Sequence, residues 1–305
     1  MSVPVSIKNK ATLGERSIAG PALGVHNGKL WMAWIGDDNK QLNVVQVVLR
    51  GDGTINIDPA TKQIMAASSD GTPSLASFKG RLWMAWIGQN NRQLNVMGSR
   101  NGNDFDSTTL QIMSQTSDIT PRLAAFGEMM WLAWSGRGNS ELNVIGSLNG
   151  NDFNSTTIRT FPDLVGSVSG LCFYRGQLRM LWVDGGGHLN VMSSDAGNAF
   201  DVRTKFILPP QPGTNFNADC VLSTDMWGAS SFHAFRHQFA PMHVSRVYFA
   251  PEVNRWAQST GDITGDLGIP AIAAYQQKLV IAWLGDDLPH HLNLGFIDPF
   301  VEIRV

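Results

Sequence analysis

Short runs of apolar and β-branched residues alternate with polar turns rich in Gly and Asn along the whole chain. Gly and Asn turns between such runs are typical of β-hairpins. In the segment 73–120 the pattern predicts four strands, at Pro73–Phe78, Arg81–Ile87, Gln93–Ser99 and Thr108–Met113. The second of these strands is apolar at nearly every position, so both of its faces must be covered by other parts of the protein. No stretch shows helical periodicity.

The second strand and the start of the third return in near-copies. Their spacing is regular: 52 residues separate Trp34 from Trp86, 48 separate Trp86 from Trp134, and 48 more lead to Trp182. The copies are KLWMAWIGDDNKQLNV at 29–44, RLWMAWIGQNNRQLNV at 81–96, MMWLAWSGRGNSELNV at 129–144, QLRMLWVDGGGHLNV at 177–191 and KLVIAWLGDDLPHHLNL at 278–294.

A sixth, divergent copy is expected in the largest gap. Trp283 follows Trp182 by 101 residues, which is twice the repeat period. The segment SFHAFRHQFAPMHV at 231–244 fits the space, with Phe235 in the position of the tryptophan and His243 in the position of the asparagine. This fifth repeat is rich in histidine. Its histidines could bind a metal or transfer protons, or the repeat could have lost its copy of a repeated site.

Repeats of this length with four strands each predict an all-β fold, the β-propeller. We expect six blades of four antiparallel strands in a single domain spanning 1–305. The predicted repeats 1 to 6 are approximately 21–72, 73–120, 121–167, 168–217, 218–267, and 268–305 together with 1–20. The N-terminal strand is expected to complete the C-terminal blade and so close the ring, which removes free sheet edges.

Three turns between the third and fourth strands carry a further motif. They read SRNGNDF at 99–105, SLNGNDF at 147–153 and SSDAGNAF at 193–200. The last fits the Asp-box pattern at Ser193, Asp195, Gly197 and Phe200. With the W-x-A-W and L-N-V repeats, the chain resembles bacterial and fungal six-bladed propellers of the sialidase-like kind, several of which are sugar-binding lectins. We expect the Asp-box residues themselves to stabilise the turn.

The composition excludes several classes of protein. Hydrophobic residues make up 43% of the chain and charged residues 16%, against roughly 25% in ordinary proteins, so a disordered chain is excluded. The net charge of −2 argues against nucleic-acid binding. No apolar run predicts a membrane span, and the N-terminal residues show no secretory signal. We therefore expect a cytoplasmic protein, or one released without a signal peptide, and a homo-oligomer is compatible with the sequence.

The sequence provides little support for a metal site or for a functional role of the cysteines. Two cysteines, Cys172 and Cys220, cannot form a zinc site of their own, and whether they form a disulfide stays open. Asp37, Asp38, Asp286 and Asp287 would fall on neighbouring blades, but they lack the regular spacing of a calcium loop. We predict no metal and no cofactor.

The resemblance makes a sialidase the natural enzyme alternative. It implies three arginines that bind the substrate carboxylate, a tyrosine nucleophile paired with a glutamate, and an acid/base aspartate. The arginine of an Arg-Ile-Pro sequence is missing, and Arg122, in Thr-Pro-Arg-Leu, has the reverse order. The candidate nucleophiles are Tyr174, Tyr248 and Tyr275, of which Tyr174 and Tyr275 occupy positions that suggest packing. We predict no catalytic residue.

Repetition of polar positions favours binding, because a multivalent binder copies its site whereas a catalytic centre occurs once. The second-strand tryptophans, the L-N-V asparagines, the turns between the second and third strands and the connecting loops should share one face of the propeller. Aromatic rings beside short amides and acids suit a neutral sugar. The predicted carbohydrate-binding residues are Trp34, Asp37, Asp38, Asn43, Asp70, Trp86, Gln89, Asn90, Asn95, Asp118, Trp134, Arg137 and Asn143.

Each of these groups also has a purely structural interpretation. The tryptophans can be inter-blade core, the asparagine amides can satisfy backbone groups of the adjacent turn, and Asp70 and Asp118 can stabilise their own loops. Our leading hypothesis is a lectin with repeated shallow glycan sites on this face. A sialidase-type glycoside hydrolase and a protein-docking propeller that binds no sugar are the alternatives.

Overall fold

Short extended segments account for nearly all regular structure in a computed structural model, which describes residues 3–4, 7–174, 176–186, 188–207, 223–227, 230–236, 242–250, 255–263, 267–285, 287 and 289–297. For the described residues between 223 and 263, the structure describes the backbone but not the side chains. The strands are β1 (Val3–Pro4), β2 (Lys8–Arg16), β3 (Ala22–His26), β4 (Lys29–Ile35), β5 (Gln41–Leu49), β6 (Ile55–Ser68), β7 (Ser74–Phe78), β8 (Arg81–Ile87), β9 (Gln93–Ser99), β10 (Phe105–Thr116), β11 (Arg122–Phe126), β12 (Met129–Ser135), β13 (Glu141–Ser147), β14 (Arg159–Tyr174), β15 (Gln177–Asp184), β16 (Leu189–Ser194), β17 (Asp201–Ile207), β18 (Ser223–Trp227), β19 (Ser230–Arg236), β20 (Met242–Ala250), β21 (Arg255–Ile263), β22 (Leu267–Tyr275), β23 (Lys278–Gly285) and β24 (His291–Ile297).

The sheets are those of a β-propeller with four-stranded antiparallel blades. Repeat 1 forms the sheet β3-β4-β5-β6 and repeat 2 the sheet β7-β8-β9-β10. The first strands contact one another in a closed cycle that runs β3, β7, β11, β14, β18, β22 and back to β3. One short 3-10 helix, Ser155–Thr157, is the only helix in the described residues, and none there is long and apolar enough to cross a membrane.

The number of separate sheets differs from our prediction. The described strands form five sheets rather than six, because β14 runs without a break from repeat 3 into repeat 4 and joins both into one seven-stranded sheet. At the other described junctions, prolines stand just before or within the first strand, at Pro21, Pro73, Pro121 and Pro270. The corresponding residue in repeat 4 is Ser169, but this difference alone does not explain the continuous strand, because Pro162 lies within β14 itself and Pro59 lies within β6.

The N-terminal strand closes the ring as predicted. Strand β2 pairs antiparallel with β24, which places residues from the start of the chain on the outer edge of the C-terminal sheet. Strand β1 pairs in parallel with β21, the outer strand of the fifth repeat. The divergent copy also has the predicted register, since Phe235 pairs with His243 as Trp34 pairs with Asn43.

The fourth strand is longer than its sequence predicts. In repeat 2 it spans Phe105–Thr116 rather than Thr108–Met113, and its pairing with β9 shifts register twice. Such bulges insert polar residues into a strand without ending it, so the apolar run alone underestimates its length. The other three strands of this repeat lie at the predicted positions, to within one residue.

The core lies between neighbouring repeats. On one face of repeat 1, Trp34 packs with Leu13 and Leu294 of repeat 6. On the other face, Trp31 packs with Leu82 and other apolar residues of repeat 2. The all-apolar second strand is therefore covered on both sides, which is the reason its sequence does not alternate.

Candidate functional site

Three turns between second and third strands lie at one end of the propeller, together with the loops that connect the repeats. We call it the linker end; it comprises the turns 36–40, 88–92 and 136–140 and the loops 17–21, 69–73 and 117–121. The turns share one hydrogen bond, in which a glycine N–H donates to a carbonyl five residues later at 2.8 Å. The Ser69 N–H donates to the Lys40 carbonyl, and the Gln89 N–H donates to the Ser68 carbonyl. Each loop therefore joins the turns of two neighbouring repeats.

The L-N-V asparagines are buried, and each donates a side-chain amide hydrogen to the carbonyl two residues earlier. These bonds match the structural interpretation, in which the amide satisfies the backbone of the turn. The donor–acceptor pairs are Asn43 to Gln41 at 2.9 Å, Asn95 to Gln93 at 2.8 Å, Asn143 to Glu141 at 2.8 Å, Asn190 to His188 at 2.8 Å and Asn293 to His291 at 3.1 Å.

The oxygens of these asparagine side chains are used differently from repeat to repeat. The Asn143 oxygen accepts a hydrogen bond from the Thr160 hydroxyl at 2.6 Å, and the Asn293 oxygen accepts one from Thr12 at 2.8 Å. No donor in the described part of the chain reaches the oxygens of Asn43 and Asn95, although both side chains belong to residues only 5% exposed. Neither oxygen is among the buried atoms without a partner, so both are open to solvent, and a ligand hydroxyl can take the place of water there.

The second-strand tryptophans lie in the interior. Trp34, Trp86, Trp134, Trp182 and Trp283 are each between 0 and 3% exposed. Lys62 lies over the Trp34 ring, with its Nζ 5.5 Å from the ring centroid. This burial matches the inter-blade packing interpretation, and none of these five rings offers an open face on which a sugar could stack.

At the first junction, four of the predicted residues line one cavity. It measures about 230 Å³ and lies between β2 of repeat 6 and the second, third and fourth strands of repeat 1. We call it the first cleft; its lining is Gly14, Glu15, Arg16, Trp34, Gly36, Asp37, Asp38, Asn39, Asn43, Lys62 and Ile64.

The charges of the first cleft are paired across the junction. Arg16 reaches Asp37 at 3.8 Å and Asp38 at 3.4 Å, and Lys62 reaches Glu15 at 2.7 Å. Sequence reasoning missed Glu15, Arg16 and Lys62, because they lie on outer strands outside the repeated segment. The predicted closure of the ring could have pointed to β2 as a wall of this cleft.

At the second junction, Asp70 connects two turns. Its carboxylate, 9% exposed, lies 2.9 Å from Lys40 Nζ and 3.6 Å from Arg92 Nε, and it accepts a hydrogen bond from the Asn90 N–H. The hydrogen bond from Lys40, followed by that from Asn90, holds the pKa of Asp70 below its ordinary value. These contacts match the structural interpretation of Asp70. Trp86, Gln89 and Asn95 belong to the same junction.

At the third junction the predicted residues are more exposed. The Arg137 Nε lies 3.4 Å from Asp118 Oδ1, and both side chains are about half exposed. Trp134 and Asn143 are buried below them. The structure thus separates the thirteen predicted residues into three groups, one at each junction, all at the linker end.

At the opposite end of the repeats, the turns between the third and fourth strands are stabilised by hydrogen bonds from backbone N–H groups to side chains of the same turn. In repeat 2 the Ser99 hydroxyl accepts from the Gly102 and Asp104 N–H groups, and the Asn101 side chain accepts from the Asp104 N–H. Repeat 3 forms the same bonds around Ser147. At Gly102, where φ is +100°, a Cβ would overlap the indole of Trp31 in the preceding repeat. These turns therefore have a structural role.

Among the described residues, the central channel lacks most of the side chains that a sialidase-type mechanism needs. A cavity of about 320 Å³ is lined by first strands, with walls of Pro, Ala, Gly and Leu and with Arg122. Arg122 is the only charged residue that the structure places in this lining, and no tyrosine, aspartate or glutamate accompanies it among the described residues. The Tyr275 hydroxyl donates to the Gly28 carbonyl at 3.1 Å, as a packing role implies. The side chains of Tyr174 and Tyr248 lie outside the described part.

The possible metal ligands are engaged elsewhere or lie outside the description. Asp287 pairs with His291, whose hydrogen bond lowers the pKa of that carboxylate. The described residues contain no group of three or more His, Cys, Asp or Glu side chains that could hold a metal ion. Asp286, Cys220 and the side chains of the histidine-rich repeat 5 are not among the described parts, whereas Cys172 is buried on β14.

Comparison with solved structures finds sugar-related propellers. A mutant of the Aleuria aurantia lectin in complex with α-methyl-L-fucoside has a TM-score of 0.62 at 10% identity, over 94% of this chain and 96% of that one. The Trypanosoma rangeli sialidase in complex with sialic acid has a TM-score of 0.61 at 11% identity, over 98% of this chain but 60% of that one. A subtype N11 neuraminidase-like protein of A/flat-faced bat/Peru/033/2010 (H18N11) has a TM-score of 0.56 at 8% identity, over 96% of both chains.

No protein-family model matches the chain, and no curated protein matches its sequence. At the identities found with the solved structures, the likeness establishes the β-propeller fold alone. Lectins and sialidases both occur among these structures, so function must be argued from the site.

Proposed function

We propose that this protein is a carbohydrate-binding lectin, and that the first cleft is one of its sugar sites. The seven-stranded sheet then counts as two blades, and residues 1–305 form one domain of six repeats with glycans as partners. The observation that carries the proposal is the oxygen of Asn43, an acceptor on a side chain that is almost fully buried and that no described donor reaches. A sugar hydroxyl is a small neutral donor that can satisfy it.

The charges of the first cleft favour a neutral sugar. Arg16 is already paired with Asp37 and Asp38, and Lys62 with Glu15. A charged ligand such as sialic acid would have to break one of these pairs, whereas hydroxyl groups can bond to them without separating the charges. Ile64, which is half-exposed, adds an apolar wall against which the C–H groups of a sugar can pack.

The size of the first cleft favours a single sugar ring. Its volume of about 230 Å³ is below the range of roughly 300–1,000 Å³ of pockets for drug-sized ligands. A shallow polar site of this size supports weak binding, with a Kd of about 1 mM or somewhat lower, which corresponds to roughly −4 to −5 kcal/mol. Useful affinity for a glycan surface then comes from several sites acting together.

The proposal is tested by isothermal titration calorimetry with the methyl α-glycosides of L-fucose, D-galactose, D-mannose and N-acetyl-D-glucosamine. The fucoside complex among the similar structures makes α-methyl-L-fucoside the first probe. We expect at least one glycoside to bind. Asp38→Ala should weaken binding at the first cleft about fivefold, the effect of one hydrogen bond of about 1 kcal/mol. Asp152→Ala removes an exposed carboxylate at the opposite end and serves as the matched control.

Two outcomes would overturn the proposal. If no glycoside of the panel binds at millimolar concentration, the result favours a protein-docking propeller that binds no sugar. Turnover of a fluorogenic sialoside would favour the enzyme alternative, and we expect none.

A further inference from the structure

In five repeats the L-N-V asparagine pairs directly with one residue of the outer strand. Cross-strand partners lie on the same face of a sheet, so this outer residue determines what surrounds the asparagine side chain. The register pairs are Asn43 with Ile64, Asn95 with Ile112, Asn143 with Thr160, Asn190 with Ile207 and Asn293 with Thr12.

Where the outer residue is threonine, the asparagine oxygen is occupied. Thr160 and Thr12 donate their hydroxyl hydrogens to the oxygens of Asn143 and Asn293. The hydroxyl stands where the donor group of a ligand would have to lie. These two sites satisfy the buried amide internally, and a sugar has nothing to gain there from the asparagine.

Where the outer residue is isoleucine in repeats 1 and 2, the asparagine oxygen has no described partner. Ile64 lines the first cleft and Ile112 stands at the matching position of repeat 2; each is 58% exposed, so both lie at the surface. We call the space beside the asparagine of each other repeat the cleft of that repeat. Isoleucine supplies no hydrogen, and its exposed side chain forms an apolar wall next to the acceptor. An apolar wall beside an unused acceptor suits one edge of a pyranose ring, which presents C–H groups and hydroxyls together.

We infer that this outer-strand position decides which repeats bind sugar, among the repeats whose asparagine is not fully buried. Isoleucine opens the cleft in repeats 1 and 2, and threonine closes it in repeats 3 and 6. The inference rests on the proposed lectin function and assigns the protein two sites among these four repeats. Repeat 4 is not counted, because Asn190 is fully buried and its oxygen is out of reach of a ligand despite Ile207.

Single substitutions at this position separate the inference from the lectin proposal. The experiment counts bound sugar in full-chain crystals soaked with the tightest-binding glycoside of the panel, with calorimetric stoichiometry as the second measurement. We expect sugar in the clefts of repeats 1 and 2 of the unchanged chain. Ile112→Thr should empty the cleft of repeat 2 and leave that of repeat 1 filled. Ile112→Val, which adds no hydroxyl, is the matched control and should keep both.

A second substitution tests whether a sugar site can be created in repeat 3. Thr160→Val keeps the shape of the side chain but removes the hydroxyl, so it frees the Asn143 oxygen. We expect sugar to appear in the cleft of repeat 3 and the stoichiometry to rise by about one. All of these positions lie on an outer strand. We expect unchanged melting temperatures for the Ile112 variants and a slightly lower one for Thr160→Val, which loses the bond to Asn143. A cooperative melting transition confirms that each variant is folded.

The two proposals fail in different ways. If no glycoside of the panel binds the unchanged chain, both fall. If sugar binds but occupies the threonine clefts of repeats 3 and 6, or if Ile112→Thr leaves the cleft of repeat 2 filled, the lectin proposal stands and this inference is wrong.

Discussion

At the opposite end of the repeats glycine turns pack directly on tryptophan rings of the neighbouring repeat, whereas at the linker end a polar cleft lies between repeats 6 and 1. The Gly102 turn packs directly on Trp31, and the Gly150 turn packs in the same way on Trp83. At the linker end, the Asn43 oxygen faces a cavity and has no described donor. The same repeated sequence thus builds glycine–tryptophan contacts between neighbours at one end, here called the packed end, and a polar cleft at the linker end.

This difference indicates where substitutions will act. Changes at the packed end should lower stability and leave binding intact in the folded protein. Changes at exposed residues of the linker end should alter binding with little effect on stability. Residues that tie the linker end together, such as Asp70, belong with the packed end despite their position.

The largest effect is expected from Gly150→Ala at the packed end. Its φ is +101°, and the added Cβ would overlap the Trp83 indole. Backbone strain and overpacking together should cost about 3 kcal/mol in free energy of unfolding, measured by urea denaturation. Gly80→Ala, with a φ of +72° but open space around it, is the control and should cost about 1–2 kcal/mol. Equal costs for the two variants would contradict the proposed Trp–Gly contact.

A smaller loss is expected from Asn143→Ala at the linker end. The change removes the hydrogen bonds to the Glu141 carbonyl and from Thr160, and should lower the free energy of unfolding by about 2 kcal/mol. Asn95→Ala removes one such bond and should cost about 1 kcal/mol. Urea denaturation of both variants checks the order. The reverse order would mean that the threonine bond does not stabilise repeat 3.

The smallest loss is expected from Asp70→Asn, and it should depend on pH. Because the folded pKa of Asp70 lies below the ordinary value of 3.8, its carboxylate stabilises the fold fully above that pH. We expect the variant to be about 1 kcal/mol less stable at pH 7, and the difference to shrink as the pH falls through the lowered pKa. Unfolding measured at several pH values tests this. A difference that persists unchanged in strong acid would show that charge is not the cause.

The repeat made most of the fold predictable. The regular spacing of Trp34, Trp86 and Trp134, 52 and 48 residues apart, predicts the repeated strand order, and even the divergent copy has Phe235 and His243 in register. The prediction of separate sheets for repeats 3 and 4 is wrong, because the hydrophobic pattern does not show that β14 runs on from one repeat into the next. The sequence also underestimates the length of the bulged fourth strands, because polar residues continue these strands beyond their apolar run.

The candidate site could be predicted only in part. Asn43, Asp37 and Asp38 were identified because they lie within the repeated segment. Arg16 and Lys62 were not, since they come from outer strands whose sequences differ between repeats and which meet only when the ring closes. The tryptophan pattern was informative about the core but not about sugar stacking, because periodicity cannot show which ring faces remain open.

We propose above that the Asn43 oxygen accepts a hydrogen bond from a sugar hydroxyl. A crystal structure of the full chain, soaked with the tightest-binding glycoside of the panel, tests it most directly. We predict a sugar in the first cleft, with a hydroxyl oxygen about 2.7–3.0 Å from Asn43 Oδ1 and carbon atoms in contact with Ile64. Sugar bound only elsewhere on the molecule, with the first cleft empty, would contradict the account.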